Sequence, residues 1–226
     1  MSDEVRTLTL DIPAEDVTLE AILHLPAAAA PVPGVVVCHP HPQYGGDMNS
    51  NVVSALCQAL VTRGIAALRF NFRGVGRSTG AYDDGRGEAR DVATAIGVLA
   101  AREEINAERV GLVGYSFGAM MALAAADQRV QALGLVSPPL QGISRERLAA
   151  LSMPLLMVTG DADHICPEAA FRELAATLTG EVEAEVVPGA DHFWWSHERD
   201  LDALAGPFFA RHLGHGGSGG GTPTRR

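Results

Sequence analysis

Ser116 stands between two glycines in Gly114-Tyr115-Ser116-Phe117-Gly118, where the apolar run "RVGLVG" gives way to a second apolar run. A hydroxyl at a strand-to-helix corner is a candidate nucleophile. The corner lifts it clear of both elements, and glycines two before and two after leave room where side chains would clash. N–H groups at the start of the following helix favour negative charge developing there. Serine is a weak nucleophile at neutral pH, so it needs a base, and the base needs an orienting carboxylate. Two late segments carry these types: Asp161-Ala162-Asp163-His164 after "LLMVTG", and Asp191-His192-Phe193 after "AEVVPGA". The competing reading of 114–118 is a tight turn with no chemistry.

Positioning such groups requires a scaffold, and the sequence alternates between two periods. "VRTLTLDI" and "VTLEAILHL" alternate like half-buried strands, close enough to pair antiparallel at an edge. "VVVC", "IAALRFNF", "RVGLVG", "VQALGLVS", "PLLMVTG" and "EVEAEVVPG" read as further strands. Between them lie helical stretches: "NVVSALCQALVTRG" with Gly64 as its stop, then about 87–102, 117–127, "PEAAFRELAATL" and about 196–213. Strands alternating with helices predict an α/β fold with a mostly parallel, doubly wound sheet flanked by helices. Residues 1–213 are expected to form one domain, and the glycine-rich 214–226 a flexible tail.

Bulk properties narrow the function. With 226 residues, 47% of them apolar, the chain can bury a substantial core. A net charge of −10 repels polyphosphate and argues against nucleic acid. The 3 cysteines, Cys38, Cys57 and Cys166, form no C-x-x-C, so neither a disulfide framework nor a zinc site is expected. "MSDEVRTLTL" lacks the basic-then-apolar order of a signal peptide. No apolar run approaches the ~20 residues needed to cross a bilayer. The expectation is a cytoplasmic protein with no membrane association, either monomer or homodimer.

The motifs "GYSFG", "GDADHICP" and "PGADHFW", with "HPHPQYGGDMNSNVV" and "NFRGVGRS", resemble those of the α/β-hydrolases over about residues 5–213. The chain order Ser, Asp, His is the one that superfamily uses. The last two motifs resemble a small, lid-poor bacterial group of serine carboxylesterases related to dienelactone hydrolase. The resemblance implies an α/β-hydrolase fold, Ser116 as nucleophile and His192 as base. The family pattern G-x-x-D-x-x-V-P fits Gly160, Asp163 and Pro167, with Cys166 in place of valine. It makes Asp163 the orienting acid, leaving Asp161 to cap loop N–H groups. Dienelactone hydrolase itself uses a cysteine nucleophile, so Ser116 counts against dienelactones as substrates.

An acyl-transfer site also needs two donors for the oxyanion. Phe117 N–H is one. The other is expected after "VVVC", where His39-Pro40-His41-Pro42 stands in place of the common His-Gly-x. The prolines have no N–H, so His41 becomes the donor, with Gln43 or Tyr44 possible if the loop is wider. A metal held by His39, His41 and Asp47 is a weak alternative, and His39 reads better as a loop brace. Tyr115, Tyr44 and Trp194 are the expected substrate-binding residues. Of the tandem tryptophans, one should pack in the core and the other border the pocket. Arg73 is expected to pair with a carboxylate. Only residues 138–152 separate "LGLVS" from "MPLLMV", so the lid is minimal and the pocket open and shallow. The expected function is hydrolysis of small, short-chain carboxylic esters without a cofactor. Thioester, C–C or peptide hydrolysis are the alternatives on the same residues. A non-catalytic ligand-binding protein is the alternative from another class.

Overall fold

The computed structural model describes residues 5–214. Apart from Gly214, the expected tail lies outside the described residues. The elements run β1 (Arg6–Ala14), β2 (Val17–Leu25), β3 (Val32–Cys38), α1 (Asn51–Val61), β4 (Ala66–Phe70) and α2 (Arg86–Ala100). They continue with β5 (Ile105–Tyr115), α3 (Phe117–Ala125), β6 (Val130–Val136), α4 (Arg145–Ala149), β7 (Leu155–Gly160), α5 (Glu168–Ala176), β8 (Val182–Val187) and α6 (Glu198–Leu213).

The strands form one 8-stranded sheet in the order β1-β2-β4-β3-β5-β6-β7-β8. β1 and β2 form an antiparallel hairpin, β2 meets β4 antiparallel, and every later pairing is parallel. The sheet separates two cores. On one face Val36, Leu68 and Leu112 pack under α2, α3 and α5. On the other, Val35, Val37, Ala67 and Val113 pack under α1 and α6. Successive residues of β3 thus serve opposite faces, the period-2 rule applied to a strand buried on both sides.

β3 pairs with β4 on one side and β5 on the other, so the strand order reverses at the β3/β5 boundary. Open α/β sheets offer a crevice outside the carboxyl ends of their strands at such a point. Cys38, the last residue of β3, pairs with Gly114, two before Ser116. The loop after β3 and the turn after β5 therefore leave the sheet side by side. Between β6 and β7 the chain adds only a loop and the five-residue helix α4, so nothing of domain size covers this crevice.

Candidate active site

Ser116 has φ 56° and ψ −119°, a conformation few non-glycine residues hold, and α3 begins at the next residue. Strain of this kind persists only where the surroundings enforce it, and here the flanking glycines do. A Cβ on Gly114 would overlap the Gly118 carbonyl, and one on Gly118 would overlap the carbonyls of Cys38 and His39. The missing side chains let the first turn of α3 lie directly against the end of β3.

Ser116 Oγ lies 3.0 Å from His192 Nε2, although 76 residues separate them. His192 Nδ1 lies 2.9 Å from Asp163 Oδ2 and 3.1 Å from Oδ1. Asp163 Oδ1 also accepts the N–H groups of Ile165 and Cys166, each at 2.8 Å. Burial raises the pKa of Asp163. Hydrogen bonds from His192, Cys166 N–H and Ser137 outweigh burial and hold it below its ordinary value. An ionised Asp163 accepts a hydrogen bond from Nδ1–H, which keeps the proton on that nitrogen and leaves Nε2 as an acceptor facing the serine.

The two loops that carry this pair are tied to each other. Ala162 N–H donates to the Ala190 carbonyl at 3.1 Å, and Asp161 N–H to the Val187 carbonyl at 3.2 Å. The carboxylate of Asp161 accepts Gly189 N–H at 2.7 Å, so it braces the loop. Gly160 has no Cβ, and one added there would overlap the Ala190 carbonyl. Tyr115 lines the cleft, yet its hydroxyl is occupied: it donates to the His192 carbonyl at 2.7 Å. Burial and the carboxylates of Asp163 and Asp191 push the Tyr115 pKa up.

The loop after β3 turns tightly. Gln43 N–H goes to His41 Nδ1 at 3.2 Å, and Tyr44 N–H to the His41 carbonyl at 3.1 Å. Both alternative donors are therefore consumed inside the loop. Among the described residues, no hydrogen bond uses the N–H of His41 or of Phe117. The two residues adjoin, with ring centroids 4.7 Å apart.

His39 is fully buried and bonded at both nitrogens: Nδ1 to the Pro40 carbonyl at 2.7 Å, and Nε2 accepting Phe72 N–H at 3.0 Å. Burial depresses its pKa to about 4. An unfolded histidine titrates near ~6.5, so between these values the unfolded chain binds the extra proton and acid favours unfolding. This contribution is intact above about pH 6.5 and is lost as pH falls toward 4. It amounts to about 3 kcal/mol at most. In denaturant titrations, the stability difference between wild type and His39→Gln should shrink steadily over that window. A pH-independent difference would rule this account out.

Arg73, from the "NFRGVGRS" segment, forms a buried pair with Asp91 of α2: Nη2 to Oδ1 is 2.7 Å, and Nε reaches both oxygens at 3.1–3.2 Å. Nearby, Glu88 accepts the N–H groups of Asp83 and Gly85 at 2.9 and 2.8 Å. These carboxylates fix the connection that carries Tyr82 and Asp84 to the cleft. Arg73→Ala would strand a buried carboxylate and should cost about 3–5 kcal/mol of stability. Arg73→Met with Asp91→Asn, which removes the charge but keeps an acceptor for the residue-73 N–H (3.1 Å), should recover most of it, read from denaturant midpoints. A double variant as unstable as the single one would refute the charge-stranding account.

The cleft over Ser116 and His192 holds about 950 Å³. Tyr44 lines it. Trp194 does not: it is fully buried, and its Nε1 donates to Ser137 Oγ at 2.9 Å. Its indole serves the core, and Trp195, 67% exposed, takes the place at the cleft. Sequence reasoning foresaw that the pair would divide but chose the wrong member. It also missed Tyr82, Asp84, Ile165 and Phe193, which come from three connections brought together only by folding. The near neighbours of Ser116 and His192 held the only usable signal.

A mostly parallel doubly wound sheet with this serine corner and a minimal lid is the α/β-hydrolase fold, of the serine type. Residues 15–151 match the family model for X-Pro dipeptidyl-peptidase (S15 family). A protein of Rickettsia prowazekii is 34% identical over 178 residues, 74% of each chain. An alpha-beta serine hydrolase homologue from Coxiella burnetii superposes with TM-score 0.79 at 32% identity, covering 92% of this chain and 97% of that one. A serine hydrolase without lid from Xanthomonas campestris gives 0.79 and 32%, covering 94% and 97%. The chain belongs to the S15 family, within the α/β-hydrolase superfamily.

Proposed function

We propose that the protein hydrolyses small carboxylic esters through an acyl-enzyme. The observation that carries this reading is the continuous contact Ser116–His192–Asp163 opening into the cleft. Ser116 Oγ attacks the ester carbonyl while His192 Nε2 takes its proton, and Asp163 stabilises the imidazolium. The N–H groups of Phe117 and His41 hold the tetrahedral anion. Each such donor is worth about 3 kcal/mol. His192 returns the proton to the departing alcohol, and water then repeats the cycle to free the acid. The residues need no cofactor for these steps.

The test is p-nitrophenyl acetate turnover with mass analysis of the trapped protein. A burst of nitrophenol and an acetyl adduct on Ser116 are expected. Turnover with no serine adduct, or none at all, overturns the reading and leaves a ligand-binding protein.

Peptide cleavage is the second reading. The family model favours it, and so does Asp84, the one acidic residue lining the cleft among the described residues, placed to hold a peptide ammonium. Faster turnover of an X-Pro anilide than of any ester would establish it. A cytoplasmic site of action belongs to the same proposal. It is supported by three unpaired, buried cysteines. No described helix is long and apolar enough to cross a membrane.

A further inference from the structure

Five large apolar side chains are exposed among the described residues, and four of them, Tyr44, Ile165, Phe193 and Trp195, line the cleft that holds Ser116. Single exposed apolar residues are ordinary; a ring of them around one opening marks a binding surface. The backbone supports the same conclusion. Trp194 has φ 61° and Ser196 φ 69°, so Trp195 sits between two left-handed residues, neither of them glycine. Such residues cost on the order of 1 kcal/mol or more each and persist where the fold over-determines them. Trp194 supplies the anchor, buried and bonded to Ser137. The result of the strained turn is that Trp195 faces outward.

Another wall is aromatic as well. Tyr44 rests on His41 at 4.7 Å between ring centroids, and His41 rests on Tyr82 at 5.2 Å. Met120 and Met121, flexible and polarizable, also line the cleft. Among the described residues no Lys or Arg lines it and its one acidic residue is Asp84, on a chain of net charge −10. The volume is at the upper end of the roughly 300–1,000 Å³ that drug-sized ligands occupy, far more than an acetyl group fills.

We propose that the cleft selects uncharged esters carrying a flat apolar ring, with Trp195 the residue that sets this preference. The proposal rests on the ester-hydrolase reading and deepens it. Ring stacking on Trp195 adds to burial of the ring. Anionic substrates meet no cation in the cleft, so acyl thioesters of phosphorylated carriers should be poor substrates.

Methyl 3-phenylpropanoate and methyl propanoate share the same carbonyl environment and differ by the ring. Wild type should favour the ring ester at least 10-fold in kcat/KM, chiefly through KM. Trp195→Ala should collapse that ratio below about 3, and Trp195→Phe should restore most of it. A carboxylate on the ring should remove the wild-type preference. Calorimetric binding of the ring ester to Ser116→Ala protein reads the cleft without turnover, and adding Trp195→Ala should weaken it about 10-fold. No ring preference in wild type, or a ratio unmoved by Trp195→Ala, overturns the proposal. So does self-association through the rim that Trp195→Ala abolishes while ester selectivity stays flat. Ring-ester binding without hydrolysis of either ester would instead sink the hydrolase reading and leave the specificity of the cleft standing.

Discussion

Protein carrying Ser116→Ala is expected to turn over p-nitrophenyl acetate about 10⁶-fold more slowly in kcat, with its fold unchanged. The size of the loss follows from what goes missing. The hydroxyl is the only group at the corner that can form the acyl intermediate, and without it His192 has no proton to take. The fold survives because the backbone bonds of residue 116 do not involve its side chain: its N–H still reaches the Val136 carbonyl at 2.9 Å, and its carbonyl still accepts Ala119 N–H at 2.9 Å. Alanine inherits the same positive φ, so the strain is matched. Residual acceleration from the oxyanion donors should persist. A variant that keeps more than a hundredth of wild-type turnover, with contaminating esterase excluded, would remove Ser116 from the mechanism.

The acid is the second place where one atom decides a large effect. Asp163→Asn should lower kcat by about 10⁴. The Asp163 carboxylate accepts from His192 and from two backbone N–H groups at once. An asparagine oxygen turned to the backbone leaves its NH₂ against Nδ1. The imidazole must then carry its proton on Nε2, pointing at the serine it should deprotonate. Asp161→Asn is the control. Its oxygen can still accept Gly189 N–H, so kcat should stay within tenfold. Parallel steady-state kinetics on the two variants check this. An Asp161 variant as slow as the Asp163 variant would mean that the carboxylates act as one unit.

How far the sequence revealed this molecule depended on whether the information was local. Strands such as β3, β6 and β7 are continuous apolar runs because both faces are buried, and they read directly. The serine corner was legible because its glycines answer a steric demand within five residues. Asp163 and His192 follow the carboxyl ends of β7 and β8, so the topology told where to look for them. The cleft was not legible in that way. Its wall is assembled from loops whose relative placement depends on packing, and nothing local separates Trp194 from Trp195. Only the left-handed turn at 194–196 decides which indole enters the core. That the N–H groups of Gln43 and Tyr44 are used inside the loop while that of His41 has no partner among the described residues could be seen only in the folded chain.

The contact between Gly160 and Ala190 has a mechanical corollary. With no methyl group as spacer and two backbone bonds across the seam, the β7 and β8 turns behave as a single block. Thermal breathing that widens the entrance has to be absorbed by the opposite bank, around Tyr44 and Tyr82, while imidazole and carboxylate stay in register. Mutational drift there can retune what enters without detuning proton transfer.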